Sequence, residues 1–214
     1  MYAYPWALCC LATVFSFPAL AQEARVEVLL HNASVPPGLI LGEMKSELGA
    51  IMKRAGFQIE WHGAQASNVA VEGDLVVVEL RGSCEPPATW IHDSAIVRIG
   101  SSAVADGKVL PFSWVDCTAL AQFLKPYLIH KTRDRQELAY GRAMARVLAH
   151  EFYHILGQTL VHTESGLTKA RLEPSDLLDA RAGFGNIPSA TAQPSAPHIL
   201  LAPVSKRSIR IPYP

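Results

Sequence analysis

His150, Glu151 and His154 stand in the order H-E-x-x-H, followed by Gly157 and His162, so the full stretch reads H-E-x-x-H-x-x-G-x-x-x-x-H. On a helix, positions four apart share one face, and the two imidazoles rise from it about 6 Å apart. That spacing suits two neighbouring ligands of one tetrahedral Zn2+ with Zn–N bonds near ~2.0–2.1 Å. Glu151 is turned about 100° around the helix from His150. That is too far round to compete as a ligand and near enough to serve a water at the ion. The chemistry this implies is hydrolysis, with Glu151 as general base for the water and then proton donor to a leaving amine.

Two imidazoles leave a zinc site incomplete, and His162 is the best candidate for the third ligand. Glu164 is the main rival and Asp176 a more distant one. A straight helix would carry residue 162 about 12 Å beyond His154. The chain must therefore turn back, and Gly157 is expected to end the helix by taking positive φ. Gln158-Thr159-Leu160-Val161 would then be an extended return. His31, His62, His92, His130 and His198 are read as ordinary surface or core histidines, and Tyr153 as a packing residue.

The helix that carries this motif is expected to start near Asp134, with Asp134 as cap and Glu137 completing a capping box. Leu138, Gly141, Ala145, Leu148, Phe152 and Ile155 form a stripe expected to face a sheet. Tyr140, Ala143, Val147 and His154 form a second stripe on the other side. A helix apolar on two sides is buried on two sides. Upstream, Arg25–His31 and Phe57–Trp61 alternate as strands. Residues 37–54 repeat Leu41, Met44, Leu48, Ile51 and Met52 at helical spacing, ended by Gly56. Leu75–Leu80 reads as a central strand, Ala95–Ile99 as a fourth, and Val109–Val115 as a fifth that Pro111 places at an edge or bend. This order predicts an α/β fold, with a mixed twisted sheet, a backing helix and a long central active-site helix.

His150, Glu151, His154 and Gly157 together resemble the metzincin clan of zinc endopeptidases. By that resemblance His150 and His154 are metal ligands, Glu151 is the base and Gly157 makes the turn. The chain departs from the clan pattern twice. Leu160 stands where the clan has its third ligand, with His162 two residues later. No methionine follows Met144, so Ser165-Gly166-Leu167-Thr168 occupies the place of the methionine turn, with Leu167 as its apolar floor. Leu172, Ser175, Asp176 and Leu177 could start the clan's closing helix. The resemblance also implies an extended peptide substrate along an edge strand, for which Val109–Val115 is the candidate. Residues Ser165 to Ala170 would wall the specificity pocket.

The bulk properties fit a secreted enzyme. Half of the 214 residues are hydrophobic, and 19 basic side chains balance 19 acidic ones, which argues against a polyanion or nucleic-acid partner. The uncharged apolar start closing on Ala19-Leu20-Ala21 reads as a signal peptide over 1–21 cleaved before Gln22, with an uncleaved membrane anchor as the rival. Cleavage removes Cys9 and Cys10. It leaves Cys84 and Cys117 either to close a disulfide loop of about 33 residues, worth roughly 3–4 kcal/mol, or as two separate buried thiols. Residues 22–185 form the expected catalytic domain and 186–214 a Pro-rich extended tail. The function expected is a secreted or periplasmic zinc-dependent endopeptidase acting on peptide or protein substrates. The alternative is a non-catalytic secreted module with a structural zinc, closed by a fourth protein ligand that Glu164 could supply.

Overall fold

A computed structural model describes residues 24–32, 36–63, 73–88, 98–179 and 183–184. The signal segment, the tail over 186–214 and residues 95–97 of the expected fourth strand lie outside them.

Alternation sets the first layer. In β1 (Ala24–Asn32) Val26, Val28 and Leu30 point to the core, and α1 (Gly38–Arg54) lays Ile40, Met44, Leu48, Ile51 and Met52 into the same core. The chain then returns as β2 (Phe57–Gly63), parallel to β1, in a strand-helix-strand crossover. The β-branched run of β3 (Asp74–Arg81) takes the middle of the sheet, parallel to β1 on one side. β4 (Gly100–Ala105) and β5 (Lys108–Asp116) form a hairpin, with β5 parallel to β3. The strand order is β2-β1-β3-β5-β4, a five-stranded mixed sheet. α2 (Cys117–Leu128), α3 (Arg133–Gly157) and α4 (Pro174–Leu178) complete the α/β fold. Among the described residues no helix is long and apolar enough to cross a membrane.

The structure corrects several expectations. Among the described residues β5 is an inner strand, and the sheet ends at β4. Pro111 does mark an irregularity. The β4–β5 register shifts between Ser102 and Val104, and pairing to β3 starts only at Phe112. Pro111 thus avoids a ladder position where its missing N–H would leave a carbonyl unpaired. The fourth described strand lies at 100–105; of the expected Ala95–Ile99, only residues 98 and 99 are described, and they are not strand. Gly100-Ser101-Ser102 has weak strand propensity, so it is pairing to β5 that makes it a strand. The local signal for that hairpin is Asp106-Gly107. Both residues adopt positive φ, 51° and 73°, in the two-residue turn that brings Ala105 opposite Lys108.

Helix α2 has no counterpart among the expected elements. Pro126 in its last turn obscures a buried series of Leu120, Ala121, Leu124 and Leu128, and Asp116 caps it by accepting from the Ala119 N–H at 2.8 Å. Its first residue, Cys117, forms a disulfide with Cys84, and the Cys117 carbonyl accepts from the buried Tyr140 hydroxyl. The N-terminus of α3 also differs. Thr132 is the cap residue, and Glu137 accepts from Arg133 at 2.7 Å rather than closing a box with Asp134. Arg133 also donates to the Pro86 carbonyl, so contact with the 83–88 segment fixes where the helix begins.

α3 is buried on more than one side, and its most extensive partner is α1 rather than the sheet. Gly141, expected to face the sheet, sits at the α1 crossing. A Cβ there would come within 2.6 Å of the Ile40 carbonyl oxygen. Arg142 and the fully buried Arg146 pair with Glu43 and Glu47 of α1, which compensates the cost of burying the Arg146 charge. The other side of α3 touches β5 and β4. Its last two turns therefore lie beneath the edge of the sheet.

Candidate metal centre

α3 ends at Gly157, but Gly157 does not take the positive φ expected of it. Gln158 does, at 45°. The cost of a left-handed residue with a Cβ is offset locally. The Gln158 side-chain amide donates to the carbonyls of Ile155 and Val109 at 2.8 and 3.0 Å, and the Thr159 N–H to the His154 carbonyl at 3.2 Å. The chain turns back through Thr159, Leu160 and Val161 to His162. Tyr153 does more than pack, since its hydroxyl donates to the Val161 carbonyl at 3.1 Å and ties down the residue before His162.

The return brings His150, His154 and His162 together, with one ligating nitrogen from each lying within 4.8 Å of the others. The His150 and His154 Nε2 atoms are 3.1 Å apart. Two ligands of a tetrahedral zinc with ~2.0–2.1 Å bonds stand about 3.3 Å apart, so this pair is already near ligand spacing. Ring centroids of His162 lie 5.3 Å from His150 and 4.7 Å from His154.

Both helix imidazoles are oriented by their other nitrogen. The Nδ1–H of His150 donates to the Leu167 carbonyl at 2.6 Å, and that of His154 to the Thr159 carbonyl at 2.8 Å. A carbonyl only accepts, so in each neutral ring the proton is on Nδ1 and the Nε2 lone pair faces the cluster. Burial lowers the pKa of both rings below the ordinary 6.5, partly opposed by those carbonyls. The neutral, ligating form is favoured. The donor set and its outer partners thus fit a divalent ion such as zinc.

Leu167 is fully buried, and its backbone carbonyl is the one that accepts from His150. A tight turn over 163–168 presents it: the Thr163 N–H donates to the Thr168 carbonyl at 2.9 Å, the two threonine hydroxyls bond each other, and Gly166 has φ of 72°. Two β-bridges and the Leu167 N–H to Gly183 carbonyl bond anchor this turn.

Glu151 lies beside the cluster, 5% exposed. Burial raises its pKa above the ordinary 4.5, and a hydrogen bond from Ser102 opposes the rise. The Ser102 Oγ is 2.7 Å from Glu151 Oε2. Ser102 was not among the residues the sequence singled out, because nothing local marks a serine 49 positions away as a partner of the motif.

The rival ligands go elsewhere. Glu164 is exposed and does not join the three histidines. Asp176 pairs with Lys169 and accepts from the Glu173 N–H. Among the described residues no fourth His, Cys, Asp or Glu groups with the triad. A second set of metal-capable side chains, Glu27, Glu60 and His62, lies on β1 and β2, at the other edge of the sheet from β4. These groups are already paired, His62 to Glu27 and Arg25 to Glu60.

Comparison with known proteins adds nothing to this geometry: the chain matches no protein-family model, no curated protein and no solved structure.

Proposed function

We propose that this protein is a secreted zinc-dependent endopeptidase, similar in its site to the metzincins. The observation that carries the reading is the convergence of His150, His154 and His162 with the Glu151 carboxylate held at their side. Zinc, when bound, would act as a Lewis acid toward water and the peptide carbonyl. Glu151 would take a proton from the attacking water and pass it to the leaving amine. A buried carboxylate with a raised pKa suits both halves of that transfer. The absence of a fourth protein ligand among the described residues supports an open catalytic position over a closed structural site.

A peptide substrate would pair with β4 (Gly100–Ala105), because β4 and not Val109–Val115 is the sheet edge beside α3. Residues 165–170 follow His162 and would contribute to the pocket wall, as would the exposed Leu160 and Val161.

Metal content and hydrolysis of unfolded protein substrates by the purified chain test the reading, with Glu151→Ala as control. The expected result is about one zinc per chain in both proteins, with hydrolysis only in the parent. Zinc-replete parent protein with no hydrolysis of diverse substrates would favour a structural metal instead.

A further inference from the structure

We infer that Ser102 is the positioning residue for Glu151, delivered to it by the edge strand β4. The inference rests on the proposed peptidase reading and extends it to a residue outside the zinc motif. Three independent features of β4 converge on the Glu151 carboxylate. The Ser102 hydroxyl lies 2.7 Å from Oε2 and 3.2 Å from the backbone carbonyl of the same residue, so it spans the side chain and main chain of Glu151. Its single proton goes to the nearer, charged acceptor. Two residues earlier, Gly100 lets β4 approach α3 closely at Val147, beside the other oxygen. A Cβ on Gly100 would stand 3.4 Å from Oε1 and 2.6 Å from Val147 Cγ1. Finally, the β4–β5 register shift begins at Ser102, which pairs with Ser113 before the ladder slips to Val104 opposite Val109. The extra residues of that shift lie on β5, so β4 keeps its regular alternation through Ser102, and Gly100 and Ser102 face α3 together.

The carboxylate therefore has one oxygen engaged and one without a hydrogen bond among the described residues. A glutamate has three rotatable bonds, and holding Oε2 fixes the orientation of Oε1. The Ser102 hydroxyl bonds Glu151 and is not one of the groups that could ligate the metal. It acts through Glu151, and its contribution belongs in kcat rather than in metal affinity or substrate binding.

The test uses Ser102→Ala and Ser102→Thr in the full chain, with zinc content, kcat and KM measured on one peptide. Ser102→Ala should keep its zinc and its KM and lose about 10- to 100-fold in kcat. Ser102→Thr, which retains the hydroxyl, should recover most of that loss. In a Glu151→Gln background the same Ser102→Ala change should have little further effect, because residues that act as a unit are not additive. An active parent whose kcat is unchanged by Ser102→Ala overturns the inference and leaves the peptidase reading intact. So does a Ser102→Ala loss that persists undiminished in the Glu151→Gln background, or one that comes with lost zinc. A parent with no hydrolysis overturns both.

Discussion

The Nδ1–H of His150 donates to the backbone carbonyl of Leu167 at 2.6 Å, joining the first histidine of the cluster to the turn that follows His162. The Leu167 carbonyl sets the ring's tautomer and direction, and the Leu167 side chain is fully buried.

Replacing Leu167 by alanine should cost about 2–5 kcal/mol in unfolding free energy, since the side chain is fully buried and leaves a cavity. Methionine at this position preserves volume and should cost less than about 1.5 kcal/mol. Denaturant unfolding of the metal-free variants checks both, and a Leu167→Ala protein as stable as the parent would count against Leu167 as the floor. Zinc affinity should weaken in Leu167→Ala as the carbonyl shifts, and be kept in Leu167→Met.

His162→Ala should lose zinc on dialysis while keeping its fold. The side chain is exposed and contributes little packing, and two remaining imidazoles make a weak site. Metal analysis together with circular dichroism separates the two effects. Full zinc occupancy in this variant would remove His162 from the ligand set. Glu164→Ala should retain its zinc.

The metal-free protein should lose stability as pH falls through about 6.5. The sign follows from burial. His150 and His154 have folded-state pKa values lowered from 6.5, so in that range the unfolded chain binds protons that the native state does not. Glu151 works in the opposite sense, because its raised value lets the native state take up a proton before the unfolded chain does as pH falls toward 4.5. Two imidazoles outweigh one carboxylate just below 6.5. Thermal melts of chelated protein from about pH 8 to about pH 5.5 should show a falling Tm. Glu151→Gln removes the opposing contribution and should steepen the fall. A Tm that is flat or rises toward acid would contradict the burial of the two rings.

Much of the fold was legible because burial writes a period into sequence. The 3.6-residue repeat of Met44, Leu48 and Ile51 gave α1, and the alternation around Val26 and Val28 gave β1. The same reasoning failed at β4, whose Gly and Ser residues carry no strand preference of their own, and at α2, where Pro126 interrupts an otherwise helical pattern. It also misplaced the faces of α3. A stripe of apolar residues says that a face is buried and not what covers it, so Gly141 met the Ile40 carbonyl of α1 instead of the sheet.

The sequence by itself determined the placement of residues on α3: His150 and His154 one turn apart, with Glu151 between them and out of line. Helix geometry allows no other arrangement of those three residues. It also determined that the chain must turn back after Gly157 for His162 to reach them. Tertiary structure alone decided how that turn is made, with Gln158 rather than Gly157 in the left-handed position, and which carbonyls aim the rings. It alone brought Ser102 to Glu151. Contacts between residues 49 positions apart depend on strand order and on how the edge strand pairs, and neither is encoded in the spacing of the residues that meet.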